Sequence, residues 1–191
     1  MSNIKLEIEL ESTRAVLFNR FAEDDAMAQE NAKIKKGKKD KGTPQEQARK
    51  CLYEQNNKIY FPFSWFSGSL KKAACDFKMQ GSRKTYKDLI NVATVFADER
   101  IFLEGGISPE NTEVFSTSVV IPATRGRIMK HRPRLNNWTC KVRVNLDTDF
   151  ITKSDFMEIL KHSGERVGIG DWRPGKGGPF GTFKVLDVKE I

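Results

Sequence analysis

The sequence predicts an α+β fold in which helices pack on an antiparallel β-sheet. Residues 4–11 and 138–146 alternate apolar and polar side chains, which is the pattern of strands with one buried face. Segments between and after them carry apolar side chains at helical spacing, and two of these segments begin with residues at capping-box spacing. Strands near both ends of the chain, with helices between them, are typical of the α+β class.

The first predicted element is a strand at residues 4–11. Its apolar face consists of Ile4, Leu6, Ile8 and Leu10. Largely apolar sequence continues to Phe21 and includes Arg20. From about residue 22 to residue 42 the chain is polar, and it ends in six lysines among nine residues. Because these lysines repel one another, we expect a mobile lysine-rich insertion that adds only diffuse attraction to a polyanion.

Two helices carry clear start signals. Thr43 is a suitable N-cap, Pro44 suits the first helical position, and Glu46 closes a capping box. Thr152 begins the last predicted helix at the same spacing, and Gly164 is expected to end it. Both helices are therefore predicted from their ends rather than from periodicity alone.

Two further helices are predicted from periodicity, and the remaining elements are strands. The helix at residues 62–79 buries Phe66, Leu70, Ala73, Ala74 and Phe77. The helix at residues 82–96 buries Leu89, Ile90, Ala93 and Phe96. Strands bounded by Gly, Pro and polar turns are predicted at residues 99–106, 113–124, 138–147 and 182–191.

Length and charge limit the class of protein. The chain has 191 residues, which is the usual size of one domain. It contains 33 Lys and Arg against 25 Asp and Glu, which gives a net charge of +8. Such a balance favours a polyanionic partner, because each phosphate that a basic side chain neutralises releases counterions. A lysine-rich surface loop without a partner is the alternative reading of the same charge.

Other features of the composition argue against membrane, metal and cofactor functions. No apolar run is long enough for a membrane span, and the first residues lack the pattern of a signal peptide, so we expect a cytoplasmic protein. Cys51, Cys75 and Cys140 are widely spaced, which is typical of reduced thiols. His131 and His162 complete no recognisable metal-ligand cluster, and we expect no cofactor.

Half of the chain's fourteen glycines lie between Gly164 and Gly181. A dinucleotide-binding loop is excluded, because Arg173 stands where the third glycine belongs and a strand follows instead of a helix. A P-loop is excluded as well, because Gly177 replaces the Ser or Thr that would bind magnesium. The loop therefore calls for another explanation, such as close approach of its backbone to a partner.

Two segments of the sequence, VGIGDWRPGKG at residues 167–177 and YFPFSWFSGSLKKAA at residues 60–74, resemble motifs of the RAMP superfamily, the repeat-associated proteins that form CRISPR effector backbones and process guide RNA. The segment VGIGDWRPGKG is similar to the superfamily's glycine-rich loop, which follows its last helix. The matching positions are Val167, Gly168, Gly170, Gly175 and Gly177. The segment YFPFSWFSGSLKKAA resembles the superfamily's apolar-Pro segment that leads into a helix. The matching positions are Pro62, Gly68, Leu70 and Lys71.

The resemblance implies a ferredoxin-like or RRM-like antiparallel sheet with helices on one face, long insertions and a C-terminal glycine-rich loop. Backbone subunits are usually longer, and repeat-cleaving members usually hold two such domains. The chain therefore fits a short, divergent member, encoded by a phage or another mobile element. We expect residues 1–191 to form one nucleic-acid-binding domain, with the lysine-rich insertion at about 22–42 and a basic loop or hairpin at about 123–137.

The basic segment is the main candidate for binding nucleic acid. It suits a protruding loop that follows a phosphate backbone, with Met129 or His131 able to wedge between bases. A solvated basic turn is the alternative. The full set of candidate binding residues is Arg20, Lys71, Lys72, Arg125, Arg127, Lys130, His131, Arg132, Arg134, Gly168, Gly170, Trp172, Arg173, Gly175, Lys176 and Gly177.

These observations predict a non-catalytic protein that binds single-stranded RNA or DNA, with RNA favoured by the resemblance. We expect self-association along the strand, and contacts with other subunits of a CRISPR-like or phage ribonucleoprotein. One alternative is a metal-independent ribonuclease that processes guide RNA with His131 as general acid or base. The other is a phage structural or assembly protein whose basic loop contacts protein.

Overall fold

A computed structural model of the protein describes residues 3–21, 42–121 and 123–191. The lysine-rich insertion predicted at residues 22–42 lies outside these ranges, apart from its last residue. The described strands are β1 (Asn3–Ser12), β2 (Val16–Leu17), β3 (Glu54–Gln55), β4 (Lys58–Pro62), β5 (Thr94–Phe96), β6 (Arg100–Phe102), β7 (Glu113–Val120), β8 (Arg127–Leu135), β9 (Thr139–Asp147) and β10 (Phe183–Glu190). The described α-helices are α1 (Pro44–Lys50), α2 (Phe63–Ala73), α3 (Ile90–Ala93) and α4 (Lys153–His162).

The largest sheet has four strands in the order β10-β1-β9-β5, and every neighbouring pair is antiparallel. Helix α2 lies between β1 and β5 in the sequence, and α4 lies between β9 and β10. This is two interleaved βαβ units, in which each outer strand is parallel to the strand before its helix. The arrangement confirms the predicted α+β class and the ferredoxin-like, RRM-like topology.

The core lies between one face of this sheet and helices α2 and α4. The alternation predicted for β1 is confirmed, since Leu6, Ile8 and Leu10 are at most 1% exposed. Phe66 of α2 and Phe156 of α4 belong to the same buried cluster. Within the described ranges, no helix is long and apolar enough to cross a membrane.

Two smaller sheets extend the ferredoxin-like unit. One has the order β2-β8-β7, and its main part is the hairpin of β7 and β8. The other has the order β3-β4-β6. In the sequence, β3 and β4 precede α2, and β6 follows it. Both are insertions relative to the minimal βαββαβ pattern, and both contribute to the surfaces discussed below.

The helix predicted at residues 82–96 is mostly wrong. Only Ile90–Ala93 forms a short helix, and Thr94–Phe96 is the edge strand β5, which pairs with β9. Ile90 and Ala93 are buried as the periodicity required. Thr94 and Val95 are β-branched and favour a strand, and pairing with β9 outweighs the local helical pattern.

The last helix starts as predicted and ends later than predicted. The Thr152 hydroxyl accepts a hydrogen bond from the Asp155 backbone N–H, which caps α4. Beyond His162 the chain continues into a π-helical turn at Ser163–Val167. Gly164 is buried inside this turn, where an added Cβ would lie 2.3 Å from the Phe183 carbonyl oxygen. Gly164 therefore permits close packing on β10 instead of ending the helix.

Candidate nucleic-acid interface

The β7–β8 hairpin and the glycine-rich loop, residues 168–181, lie against each other. The closest link is the ion pair between Arg132 Nε of β8 and Asp171 Oδ2 of the loop, at 2.9 Å. Arg132 is only 7% exposed, so its guanidinium is largely removed from water and is compensated by this carboxylate. Two segments that are distant in the sequence thus form one surface.

Aromatic rings pack along the same seam. Phe115 of β7 lies 5.2 Å from Phe180 and 6.3 Å from Trp172, measured between ring centroids. Trp172 and Phe180 are 5.8 Å apart. Trp172 nevertheless keeps 39% of its surface exposed, so part of the indole is open to a ligand. The seam fixes the loop on the hairpin and leaves one ring accessible.

A cleft of about 270 Å³ opens between the hairpin and the loop. Its lining combines an exposed aromatic ring, cationic groups and hydroxyl groups. The lining residues are Thr117, Ser118, Val119, Arg132, Asp171, Trp172 and Lys176. This volume suits a single nucleotide or a comparable small group, and the lining offers a stacking partner, positive charge and hydrogen-bonding groups.

Strand alternation divides the basic residues of β8 between two faces. Lys130 pairs directly with Thr117 of β7, Arg132 pairs with Phe115, and Arg134 pairs with Glu113. Because side chains of directly paired residues point to the same face of a sheet, these three cations share one face of the hairpin. The opposite face carries Arg127, Met129 and His131. Arg125 lies in the exposed turn, where its φ is 53°.

Arg134 is already engaged within the protein. Its guanidinium binds the Glu113 carboxylate directly across the hairpin, and this pairing lowers the pKa of Glu113. In contrast, neither Lys130 nor Arg127 forms an ion pair with a carboxylate of the described residues. Lys130 and Arg127 are therefore better placed than Arg134 to meet an external anion.

The glycines of the loop serve mainly to pack the loop on its own protein. Gly168 and Gly170 are buried, with φ values of 72° and 75°. An added Cβ at Gly170 would lie 2.7 Å from the Leu17 carbonyl oxygen, and one at Gly175 would lie 2.9 Å from a Val167 methyl carbon. The backbones of Gly168 and Gly170 are covered by protein, so these two glycines shape the loop.

The end of the loop that faces solvent is formed by three successive residues. Gly175, Lys176 and Gly177 are exposed, and nothing lies within 4 Å of a Cβ added at Gly177. Arg173 is turned inward, and its Nη1 donates to the Gly170 carbonyl oxygen at 2.8 Å. Partial burial lowers the pKa of Arg173, and Asp171 opposes that shift. Arg173 therefore supports the loop, and Lys176 is its accessible cation.

Of the candidate residues, Arg132, Trp172 and Lys176 line the cleft, and three others lie on different elements. Lys71 and Lys72 are exposed in the last turn of α2. Arg20 is exposed after β2, and its backbone N–H donates to the Cys51 carbonyl oxygen. The structure thus brings the hairpin and loop residues together and leaves Arg20, Lys71 and Lys72 elsewhere.

The two histidines have different partners and lie in different places. His131 Nδ1 lies 2.7 Å from Ser116 Oγ on the neighbouring strand, and a serine hydroxyl polarises an imidazole less than a carboxylate does. His162 Nε2 lies 3.0 Å from Asp76, at the C-terminal end of α4 and outside the cleft. His162 is thus a partly exposed residue at a helix end.

Sequence reasoning missed several residues of the seam. Asp171, Phe115 and Phe180 are absent from the candidate residues that the sequence indicates. The alternation of residues 113–120 with 127–135 was a usable signal, because a hairpin register places Phe115 opposite Arg132. No local pattern indicated that the glycine-rich loop would cover this face.

No family model and no curated protein matches the sequence. Among solved structures, the chain is similar to a chain of the type III-B Cmr-beta complex bound to cognate target RNA. The TM-score is 0.50 and the identity 12%, over 99% of this chain and 61% of that one, so the protein spans about three fifths of that chain's length. Cmr6 from Pyrococcus furiosus gives a TM-score of 0.45 and 11% identity, over 97% of this chain and 100% of Cmr6.

The likeness to the Cmr-beta chain defines the class of fold. That chain belongs to the RAMP superfamily of CRISPR proteins, and the fold of this protein is RAMP-like. At 12% identity the likeness concerns the fold alone. The fold expected from the glycine-rich loop and the apolar-Pro segment is therefore confirmed.

Proposed function

We propose that the protein binds single-stranded RNA, without cleaving it, along the β7–β8 hairpin and the glycine-rich loop. The observation that carries the proposal is the Arg132–Asp171 contact, which holds the two basic and aromatic segments around one cleft. The shape of the glycine-rich loop supports the proposal. Its first residues, 168–170, are buried, whereas Trp172 and Lys176 are exposed.

The lining of the cleft suits a nucleotide of a single strand. A base stacks on the exposed part of Trp172, and Lys176 neutralises an adjacent phosphate. The Thr117 hydroxyl is a hydrogen-bonding partner for a ribose 2′-hydroxyl or a base edge. These groups favour RNA over DNA, and they do not require a defined sequence.

The tip of the hairpin offers a further surface, on the face of β8 opposite to Arg132. Arg125 and Arg127 are exposed beside Met129, which is 56% exposed. An apolar side chain beside cations can enter a step between bases while the cations bind the phosphates. The tip is thus the proposed second contact with the same strand.

The assembly context is proposed from the structural neighbours. The Cmr-beta structure is a complex bound to target RNA, and a protein with a similar fold can assemble in the same manner. We propose that copies associate along RNA and contact other subunits of a ribonucleoprotein. Cooperative binding is usual for proteins in which each domain covers few nucleotides.

The proposal is tested by the salt dependence of RNA binding. In the double variant Lys130→Gln/Lys176→Gln, we expect weaker binding of labelled oligouridine and a salt slope lower by about 1.4, since each phosphate contact on a single strand contributes about 0.7. Fluorescence anisotropy at several salt concentrations measures both quantities.

The matched control is Lys87→Gln/Lys161→Gln, which removes the same charge from exposed positions outside the cleft. This control is expected to bind like the unmodified protein. If both double variants bind with unchanged affinity and slope, the hairpin and loop are not the RNA site. If both lose the same amount, the attraction is a property of net charge alone.

A further inference from the structure

The outer face of the small sheet β3-β4-β6 carries a row of partly exposed aromatic rings. Tyr60 of β4 pairs directly with Phe102 of β6, so both side chains stand on one face, with ring centroids 5.8 Å apart. Tyr53, which precedes β3, lies 5.8 Å from Tyr60 on its other side. Phe102 is 41% exposed. The three rings form a continuous surface, which we call the aromatic face.

Cationic and amide groups flank the aromatic face. The Arg100 guanidinium carbon lies 5.6 Å from the Tyr60 ring centroid, and Arg100 Nη1 donates to Gln55 Oε1 at 2.8 Å. Lys58 pairs with Gln55 and therefore shares this face. Burial raises the pKa of the Tyr53 hydroxyl, and the positive charge of nearby Arg20 opposes this shift.

Carboxylates are kept off this face within strands 54–55, 58–62 and 100–102. Glu54 alternates to the other side of the sheet and pairs with Arg49 at 2.9 Å. The aromatic face therefore combines stacking surface with positive charge and has no opposing negative charge from its own strands. Its charge is complementary to a polyanion.

The open face of the large sheet has a different character. Glu7 lies opposite both Arg143 and Lys189, and Glu9 lies opposite Lys141. Positive and negative side chains thus face one another in neighbouring strands and neutralise each other. In RRM proteins it is the main sheet that stacks bases on aromatic residues, and here those features occur on the small sheet instead.

We propose that the aromatic face is a second stacking platform for bases of single-stranded RNA. Half-exposed rings on a sheet with arginines beside them meet the physical requirements for base stacking and cation–π contact. The platform adjoins the glycine-rich loop. Tyr53 meets Trp65 edge-on at 5.5 Å, and a Cβ added at Gly170 would lie 3.5 Å from the Trp65 ring. This inference rests on the proposed RNA binding and extends its path.

The test uses ring-removing and ring-preserving variants. Tyr60→Leu/Phe102→Leu removes two rings and keeps apolar bulk, and Tyr60→Phe keeps the ring. Leu186→Ala is the control, since it changes an exposed apolar residue on β10. Circular dichroism and the thermal midpoint show whether each variant is folded.

Binding is measured with oligouridines of about 6 and about 16 nucleotides, which bracket the site sizes of typical single-strand binders. The double Leu variant is expected to bind the longer oligonucleotide at least about fivefold more weakly, with an unchanged salt slope, because stacking releases no counterions. Tyr60→Phe and Leu186→Ala are expected to bind like the unmodified protein. Photocrosslinking with 5-iodouridine should label Tyr60 or Phe102.

Two results would overturn the platform. One is unchanged affinity of the double Leu variant for the longer oligonucleotide, together with no crosslink to the aromatic face. The other is loss of concentration-dependent self-association with RNA affinity intact, which would assign the face to a second copy of the chain. In either case, weaker binding by Lys130→Gln/Lys176→Gln would leave the hairpin and loop as the RNA site, so the two proposals fail separately.

Discussion

At the residue scale, the glycines show how one residue type meets two different demands. At Gly177 the backbone has a φ of 76° and the surrounding space is open. At Gly181 the φ is 75°, and a Cβ would lie 1.9 Å from the Ile169 carbonyl oxygen. The first glycine relieves backbone strain alone, and the second also permits two segments to touch.

This difference gives a matched pair of variants. Gly177→Ala is expected to cost about 1–2 kcal/mol of unfolding free energy, which is the usual penalty for the left-handed conformation. Gly181→Ala carries the same penalty plus a clash with backbone, so we expect a larger loss, which urea denaturation can measure. Equal losses for the two variants would mean that the loop does not pack on Ile169 as described.

At the scale of elements, local signals predicted the parts that local physics determines. The capped ends of α1 and α4, and the alternation of β1 and β9, depend on residues adjacent in sequence. The edge strand β5 was missed because its conformation depends on pairing with β9. The sequence indicates the basic segment and the glycine-rich loop as two separate candidate segments. Their contact through Arg132 and Asp171 depends on tertiary packing, which no local sequence pattern indicates.

The hairpin allows a prediction at this scale. None of the described residues between Thr117 and Lys130 is buried, so replacing 117–130 by an Asn-Gly turn should preserve the fold. We expect an unchanged circular dichroism spectrum and a strong loss of RNA binding, because the tip and one wall of the cleft are removed. A shortened protein that binds oligouridine normally would exclude the hairpin from the interface, and the Lys87→Gln/Lys161→Gln protein serves as the binding reference.

At the scale of the whole molecule, the distribution of charge bears on the proposed RNA binding. The chain has a net charge of +8, and the hairpin and the glycine-rich loop both carry exposed cations. On the open face of the large sheet, acidic and basic side chains lie opposite one another, which lowers the attraction of that face for RNA. Such asymmetry favours one orientation of each copy on the strand.

The corresponding measurement is size-exclusion chromatography with absorbance at 260 and 280 nm, before and after a high-salt wash. We expect a large species with a high absorbance ratio that becomes smaller with salt or after RNase treatment. A nucleic-acid-free oligomer that resists salt and does not bind added oligonucleotides would instead support a structural or assembly protein. DNase treatment distinguishes DNA from RNA in the same experiment.

The short strand β2 has a mechanical consequence. Leu17 pairs with Arg134 of the hairpin, and its carbonyl oxygen accepts from the Asp171 N–H of the loop at 2.9 Å. The hairpin and the loop therefore contact the same two-residue strand, and Phe18 extends this contact by donating its backbone N–H to the Pro133 carbonyl oxygen. Tension on a bound strand would be shared between hairpin and loop through β2 and the Arg132–Asp171 ion pair, and it would reach the central sheet directly because β8 continues through residues 136–138 into β9.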